Sequence, residues 1–200
     1  MAKAVYIYGA SGHGLVVADI AHACGYDEIV FLDDGDNDHL TFTEIVHDKQ
    51  TPIAFGVGNN KQRSLLFKMV QSHGFEIVTL IHPSAIVSQS ATIGLGSVVM
   101  PNAVVNAKAY VGSGSIINTG GIVEHECFVD DFVHISPRGA LAGNVHVGKY
   151  SHIGLGASII QNITIGENVI VGAGAVVIAS IPNNCTAVGV PAKIISYVTL

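Results

Sequence analysis

The chain has 200 residues, 12% of them charged and 49% hydrophobic, and its formal net charge of −6 with no block of basic residues argues against a nucleic-acid partner. Its aromatic content of 6%, without tryptophan, argues against stacking of single strands. The apolar runs are too short for membrane insertion, no signal peptide is evident, and Cys24, Cys127 and Cys185 form neither a disulfide framework nor a zinc pattern, so we expect a cytoplasmic protein without a bound metal.

Residues 1–81 alternate between apolar strand segments and helical segments. The expected strands are KAVYIY, EIVFLDD, TPIAFGVGNN and FEIVTLI, and the expected helices are LVVADIAHACGY and KQRSLLFKMVQSHG, each with a glycine at or near its end. Such alternation predicts a short parallel sheet of Rossmann-like βαβ type. A ligand crevice is then expected at the carboxyl ends of the strands.

Polar and glycine residues follow three of these strands. The GASGHG turn permits close approach of a phosphate at a helix N-terminus, although a glycine-rich connection without a ligand explains the same residues. Two carboxylates end the second strand, and a Gly-Asn pair ends the third. The convergence of three loops favours a binding site. The candidate substrate-binding residues are Gly9, Ser11, Gly12, His13, Asp33, Asp34, Gly58 and Asn59.

Residues 82–200 follow a different period. From Val87 to Val177, every sixth residue is aliphatic, giving sixteen consecutive positions without an insertion. A small residue usually stands two positions earlier, and Gly, Asn or Asp recurs one position later, where we expect unusual backbone angles at a corner. An α-helix does not place side chains on one face every six residues, so the pattern predicts a hexapeptide solenoid.

The repeat resembles that of the hexapeptide-repeat transferases. The resemblance implies a left-handed parallel β-helix of triangular section, with three hexads per coil and just over five coils. Gly143 then lies one full coil beyond His125, on the same wall and roughly 5 Å away along the axis. Gly143 has no side chain, so its backbone N–H can face the space beside the imidazole.

The stretch GIVEHECFVDDFVHIS places His125 beside Glu126 in a segment with few ionisable residues. A neutral imidazole is a suitable general base, and a carboxylate can hold its other N–H. Adjacent residues of a regular strand point to opposite faces, so Glu126 reaches the ring only if a corner bends the backbone; otherwise Glu124 or a neighbouring chain takes that place. An ordinary pair of outward-facing polar residues remains the alternative explanation.

Seven stretches spread over the chain resemble a subgroup of these transferases, the sugar acetyltransferases of PglD and NeuD type. They are VYIYGASGHG, FLDD, GNN, LIHPSA, NTGGIVEHE, AGNV and GVPAK. In that subgroup, the residue matching His125 is the base, the residue matching Glu126 is its partner, and the residue matching Gly143 provides the N–H that polarises the carbonyl.

The resemblance also implies a co-substrate and an assembly. The co-substrate is acetyl-CoA, and the protein is a homotrimer whose active sites lie between neighbouring solenoids. The tail that contains GVPAK is expected to contact coenzyme A. The candidate cofactor-binding residues are His134, Gly143, Gly154, Gly172, Gly174 and Lys193, for which corner geometry or simple surface exposure are the alternative explanations. The histidines also permit a zinc site shared between subunits, as in solenoid-type carbonic anhydrases, although their spacing does not match that family.

The function implied is transfer of an acetyl group to the 4-amino group of a UDP-4-amino-4,6-dideoxy-N-acetyl-hexosamine, as in bacillosamine-type pathways of glycan biosynthesis. The first alternative is O-acetylation of a sugar of the sialic-acid type. The second is a nucleotide-sugar-binding solenoid without catalysis. Activity of a His125→Ala variant separates catalysis from binding, and the product formed from amino and hydroxy sugars separates the two enzymes.

Overall fold

The computed structural model describes residues 3–197 and begins with a three-stranded parallel sheet. Strands β1 (Ala4–Tyr8), β2 (Glu28–Leu32) and β3 (Ile53–Phe55) lie in the order β2-β1-β3. Helices α1 (Gly12–Ala23) and α3 (Asn60–Ser72) follow β1 and β3, as the sequence predicts, and a short α2 (Phe42–Ile45) was not expected. The crevice at the carboxyl ends of β1, β2 and β3 therefore forms as predicted for an α/β unit.

The fourth predicted strand, FEIVTLI, does not extend this sheet. Ile77 makes a single parallel bridge to Ile53, and the chain then leaves the small sheet. Leu80 and Ile81 form strand β4, which pairs with the first strand of the next coil. Leu80 and Ile81 pair instead with Val98 and Val99, and the Leu80 side chain is buried against the α/β unit, whereas Ile81, six residues before Val87, stays 37% exposed.

The rest of the chain forms a parallel β-solenoid of two-residue strands. These are β4 (Leu80–Ile81), β5 (Ile86–Val87), β6 (Thr92–Ile93), β7 (Val98–Val99), β8 (Val104–Val105), β9 (Tyr110–Val111), β10 (Ile116–Ile117), β11 (Ile122–Val123), β12 (Phe128–Val129), β13 (His134–Ile135), β14 (Ala140–Leu141), β15 (His146–Val147), β16 (His152–Ile153), β17 (Ser158–Ile159), β18 (Thr164–Ile165), β19 (Ile170–Val171) and β20 (Val176–Val177). A hairpin of β21 (Cys185–Val188) and β22 (Lys193–Tyr197) follows.

From β4 to β17, each strand pairs with the strand eighteen residues later, as in His134 with His152 and Ile135 with Ile153. This register produces three walls. Wall A contains β4, β7, β10, β13, β16, β19 and the hairpin; wall B contains β5, β8, β11, β14, β17 and β20; wall C contains β6, β9, β12, β15 and β18. The aliphatic residue of each hexad points inward, and from Val99 to Val177 all of these residues are at most 2% exposed. The predicted hexapeptide solenoid is therefore confirmed.

The corners differ in one respect from the expectation. The positive φ angles fall three residues after the aliphatic position, from Gly96 to Gly174 in every hexad, and include Glu126 with φ 59°. The glycines one residue after the aliphatic position have another cause. A Cβ on Gly112 or Gly154 would lie 2.5–2.7 Å from atoms of the next coil. Close stacking of the coils, not the φ angle, requires glycine there.

The α/β unit packs against wall A. The outward side chains of Leu80, Val98 and Ile116 are buried against Val17 and Ile20 of α1. Burial of this apolar surface, worth roughly 25 cal/mol per Å², holds the two parts together. No helix among residues 3–197 is both long enough and apolar enough to cross a membrane.

Candidate active site

His125 lies at a corner between walls B and C, just after strand β11. Its side chain is 58% exposed and opens into a cleft of about 520 Å³. The cleft is lined by His125, Glu126, Ala142, Gly143, Asn144, Gln161 and Asn162. From the sequence, we expect His125 and Gly143 to stack on one wall of the β-helix. In the structure they stack at a corner instead, because each residue follows its strand by two positions.

Glu126 reaches the imidazole of His125 from the neighbouring position in the chain. The His125 Nδ1 lies 3.2 Å from Glu126 Oε2. Because Glu126 has φ 59°, the backbone reverses at the corner and both side chains project to the same side. This is the bend that the sequence argument required. With Nδ1–H donated to the carboxylate, the neutral ring has its free lone pair on Nε2.

Gly143, one coil later than His125, lies directly against the imidazole ring. A Cβ placed on Gly143 would lie 2.5 Å from His125 Cε1 and 2.6 Å from Nε2, so only glycine leaves room for the imidazole. Within residues 3–197, the Gly143 N–H donates to no other protein group. A free backbone donor and a free imidazole nitrogen therefore face the same open cleft, an arrangement suited to acyl transfer.

Glu124 has a different place from Glu126. Its Oε2 accepts a hydrogen bond from Asn106 Nδ2 at 2.9 Å, one coil below, and lies 3.3 Å from the backbone nitrogen of His125. Glu124 therefore contacts the backbone of His125, and the contact to the imidazole ring is made by Glu126.

A second cleft, of about 340 Å³, lies at the carboxyl ends of β1 and β2. It brings together Gly9, Asp33 and Asp34 of the predicted substrate residues, and adds Tyr8 and Gln62, which the sequence argument did not single out. Tyr8 shows no sequence signal because it continues an apolar strand. Only the pairing of β1 with β2 places its hydroxyl beside the carboxylates.

The two carboxylates already have protein partners. Asp33 accepts the N–H groups of Ala10 and Gly35, and these bonds hold the pKa of its carboxyl below the usual range. Asp34 accepts the hydroxyl of Tyr8 and the N–H of Phe42. Asp33 therefore supports the glycine turn after β1, and both carboxylates keep further acceptor capacity for a ligand hydroxyl or N–H.

The other predicted substrate residues are spread more widely. Gly12 and the exposed Ser11 begin α1, and Ser11 does not cap the helix with its side chain. The Asn59 side chain caps α3 by accepting the N–H of Gln62 at 3.0 Å. Gly58 and Asn59 line a smaller cleft that also contains Tyr150 and His152. The ends of all three strands therefore line the larger cleft, with Val57 contributing from the loop after β3, whereas Gly58 and Asn59 of the same loop line the smaller one.

His13 and His134 lie at the junction between the α/β unit and wall A. Their ring centroids are 6.3 Å apart, and His134 stacks on His152 at 4.7 Å. Burial is the main cause that lowers the pKa of His13 to about 4 and that of His134 to about 3, with the nearby Arg63 adding to both effects. His134 is only 9% exposed, on a different wall from the His125 cleft; its Nε2 lies 3.0 Å from Asn118 Nδ2, and its Nδ1 is buried without a hydrogen-bond partner among residues 3–197.

Arg63 is a residue that the sequence argument missed. It is 1% exposed and donates to the carbonyl oxygens of Val57, Gly58 and Gly114 at 2.6–3.0 Å. It therefore ties the loop after β3 to the solenoid. An arginine within the helical segment KQRSLLFK gives no sign of burial, because only the contact between the two parts of the chain encloses it.

The remaining cofactor candidates differ among themselves. A Cβ on Gly154 or Gly172 would meet the next coil or Val188, so close packing accounts for both glycines. Gly174 has open space around it and a φ of 66°. Lys193 is exposed at the start of β22. Among the described residues 3–197, no group of three or more His, Cys, Asp or Glu side chains is arranged to hold a metal ion.

The fold and the cleft define a class of protein: solenoid transferases built from hexapeptide repeats and carrying an N-terminal α/β unit. Residues 4–70 match the family model described as the PglD N-terminal domain. The chain is 42% identical over 111 residues to UDP-N-acetylbacillosamine N-acetyltransferase of Bacillus subtilis (strain 168), in a match that covers 48% of this chain and 50% of that protein. The match thus spans about half the length of this curated relative.

Solved structures extend the similarity over nearly the whole chain. The acetyltransferase domain of PglB from Neisseria gonorrhoeae FA1090 is 43% identical, with a TM-score of 0.91, covering 96% of this chain and 100% of that one. The same domain has been solved with acetyl coenzyme A. PerB from Caulobacter crescentus, solved with CoA and GDP-perosamine, is 37% identical with a TM-score of 0.90, covering 96% of this chain and 97% of that one.

The chain belongs to the PglD-type family of sugar acetyltransferases with a left-handed β-helix. The family and the fold class predicted from the sequence are thereby confirmed.

Proposed function

We propose that the protein transfers the acetyl group of acetyl-CoA to the 4-amino group of a UDP-4-amino-4,6-dideoxy-N-acetyl-hexosamine. One observation carries the proposal: the Nε2 edge of His125 lies against Gly143, whose N–H is free, in an open cleft. The relatives support its chemistry, since one is named for the acetylation of UDP-N-acetylbacillosamine and another has been solved with acetyl coenzyme A.

In the proposed reaction, the amine nitrogen attacks the thioester carbonyl carbon and a C–N bond forms. His125 Nε2 accepts the proton that the amine loses, while Glu126 holds Nδ1–H and stabilises the imidazolium. The negative charge that develops on the carbonyl oxygen is met by the Gly143 N–H. The C–S bond then breaks, and the CoA thiolate leaves and takes the proton from His125.

We propose that the sugar nucleotide binds to the N-terminal α/β unit and that catalysis takes place on the β-helix, which begins at β4 (Leu80–Ile81). The cleft with Gly9, Asp33 and Asp34 is the proposed nucleotide site, with Ser11, Gly12, His13, Gly58 and Asn59 around it. The proposed CoA contacts are Gly143, His134, Gly154, Gly172, Gly174 and Lys193. The three free cysteines fit the cytoplasm, which we propose as the location.

We also propose that the protein works as a homotrimer. The catalytic corner is flanked by exposed apolar side chains, Ile122 on wall B and Phe128 on wall C, 36% and 38% exposed. Phe128 stacks on Tyr110 with ring centroids 4.8 Å apart, and the tilted ring of His146 lies 4.7 Å from it. A neighbouring solenoid would cover these side chains and give the open cleft a second wall. Sedimentation showing a stable monomer at assay concentration would contradict this.

The decisive experiment measures release of free CoA thiol with a panel of acceptors. The panel contains UDP-linked 4-amino sugars, the matching UDP-linked 4-hydroxy sugars and a GDP-linked 4-amino sugar. We expect turnover with the UDP-amino sugar and a loss of about 10²–10⁴-fold in a His125→Ala variant that still binds the sugar nucleotide. Preference for the hydroxy sugar would show that the enzyme is an O-acetyltransferase instead of an N-acetyltransferase. Unchanged turnover in the His125→Ala variant would show that His125 is not the base.

A further inference from the structure

A hydrogen bond recurs inside the solenoid between the small inward residue of one hexad and a corner of the next coil. Ser97 Oγ donates to the carbonyl oxygen of Gly112 at 2.7 Å, Ser115 Oγ to that of Asp130 at 2.9 Å, and Ser151 Oγ to that of Gly166 at 2.7 Å. Each bond joins residues fifteen apart in the sequence. Each bond fixes a corner peptide through its carbonyl oxygen, on the side that faces the core of the solenoid.

At the catalytic corner, a cysteine takes the place of the serine. Cys127 Sγ donates to the carbonyl oxygen of Ala142 at 3.1 Å, again fifteen residues later. The carbonyl of Ala142 and the N–H of Gly143 belong to the same planar peptide group. The Cys127 thiol therefore binds the buried carbonyl of this peptide group, while the N–H of the same group faces the cleft beside His125.

We propose that Cys127 is a positioning residue for acetyl transfer, fixing and polarising the Ala142–Gly143 peptide so that its N–H donates to the developing oxyanion. This rests on the proposed function. A hydrogen bond accepted by a peptide carbonyl strengthens the donor at the other end of the same group. The bond also prevents the peptide from rotating away from the cleft, where exact placement of the donor controls the rate.

The surroundings of Cys127 suit this role. The residue is 1% exposed, so neither substrate nor solvent reaches it. Burial raises the pKa of its thiol, which keeps the proton on the sulfur available for donation at neutral pH. A thiol is a weak donor in comparison with a hydroxyl. A serine at position 127, like Ser97, Ser115 and Ser151 at their corners, should therefore donate this hydrogen bond at least as well.

The kinetic test compares three variants of the 200-residue chain. Cys127→Ala is expected to lower kcat about three- to tenfold with little change in KM, since a weakened oxyanion donor acts mainly on the transition state. Cys127→Ser is expected to keep the parent kcat or exceed it. Ser115→Ala removes the same kind of bond at a corner between walls A and C, away from His125, and is expected to leave kcat unchanged at a temperature where it is folded.

If the alanine variant melts below the assay temperature, Cys127→Val replaces it, because valine fills the space without a donor. Equal kcat in the parent and the variant that lacks the donor would overturn the proposal. So would a serine variant as slow as the alanine variant, or a loss of kcat in Ser115→Ala as large as that in Cys127→Ala.

A second measurement does not depend on turnover. The sequence contains two alanine–glycine pairs, Ala142–Gly143 and Ala173–Gly174, so labelling with ¹³C-carbonyl alanine and ¹⁵N-glycine selects two amide signals. We expect the Gly143 signal to shift in Cys127→Ala and to return towards the parent position in Cys127→Ser. The Gly174 N–H donates to Leu155 O at 2.8 Å, and its signal serves as the internal control.

The two measurements separate this inference from the proposed function. A Gly143 signal that does not respond to Cys127→Ala would overturn the positioning role, even in an active acetyltransferase. A parent protein that acetylates no acceptor, or a His125→Ala variant as active as the parent, would overturn the proposed function, and the catalytic role of Cys127 with it, whatever the amide signal shows.

Discussion

The substitution Gly143→Ala tests the arrangement of His125 most directly. Gly143 does not have a positive φ, so the backbone accepts alanine, and Ala107 occupies the matching position two coils earlier. The new methyl group would lie 2.5–2.6 Å from the imidazole of His125. Since the ring is 58% exposed, it can swing into solvent. We therefore expect a change in unfolding free energy within about 1 kcal/mol.

The effect on catalysis should be far larger than the effect on stability. A displacement of about 1 Å costs on the order of 10²-fold in rate, and loss of a general base costs about 10²–10⁴-fold. We expect kcat to fall about 10²–10³-fold while binding of the UDP-sugar, measured by calorimetry, is unchanged. Thiol release from acetyl-CoA gives kcat, and a thermal melt gives the stability.

A double variant identifies the cause of the loss. If Gly143→Ala acts by displacing His125, it should add little to a His125→Ala variant, because the two changes remove one interaction. The reasoning would be refuted by a Gly143→Ala enzyme with parental kcat. It would also be refuted if the fold-loss of kcat in the double variant equalled the product of the losses in Gly143→Ala and His125→Ala.

Three further outcomes are expected. Glu126→Gln should lower kcat about tenfold without changing stability, because the exposed carboxylate orients and supports the imidazole; an unchanged kcat would exclude Glu126 as its partner. Because folding lowers the pKa of His13 and His134 to about 4 and 3, stability is full above pH 6.5 and falls as the pH decreases, by ~2 kcal/mol per group at pH 5. Melts of the parent and a His134→Leu variant across pH 5–7.5 test this, the variant being expected to show the shallower dependence. Arg63→Met should destabilise the protein by about 3 kcal/mol in urea unfolding, because the substitution leaves buried carbonyls without a donor. The control Lys68→Met should cost less than about 0.5 kcal/mol. Equal effects of the two substitutions would contradict the tethering role of Arg63.

The sequence alone was sufficient for the solenoid. An aliphatic residue at every sixth position can be buried on one side only if the chain turns with that period, so the repeat itself predicts the short strands and turns of a solenoid. The three hexads per coil that stack Gly143 on His125 were implied by the resemblance to the hexapeptide-repeat transferases, and the pairing of Val123 with Leu141 confirms them. The alternation of strands and helices likewise predicted the α/β unit, because its apolar periods and glycine-bounded helices are local features.

Contacts between distant segments decided the features that the sequence did not predict. The chain leaves the small sheet after Ile77, and Leu80–Ile81 starts the solenoid because it pairs with Val98–Val99 of wall A. Arg63 and His134 become buried only when the α/β unit packs on wall A, and Cys127 meets Ala142 only across neighbouring coils. A local pattern fixes which side of a segment is apolar, whereas burial, pKa and hydrogen-bond partners depend on what packs against it. Only the tertiary structure supplies that information.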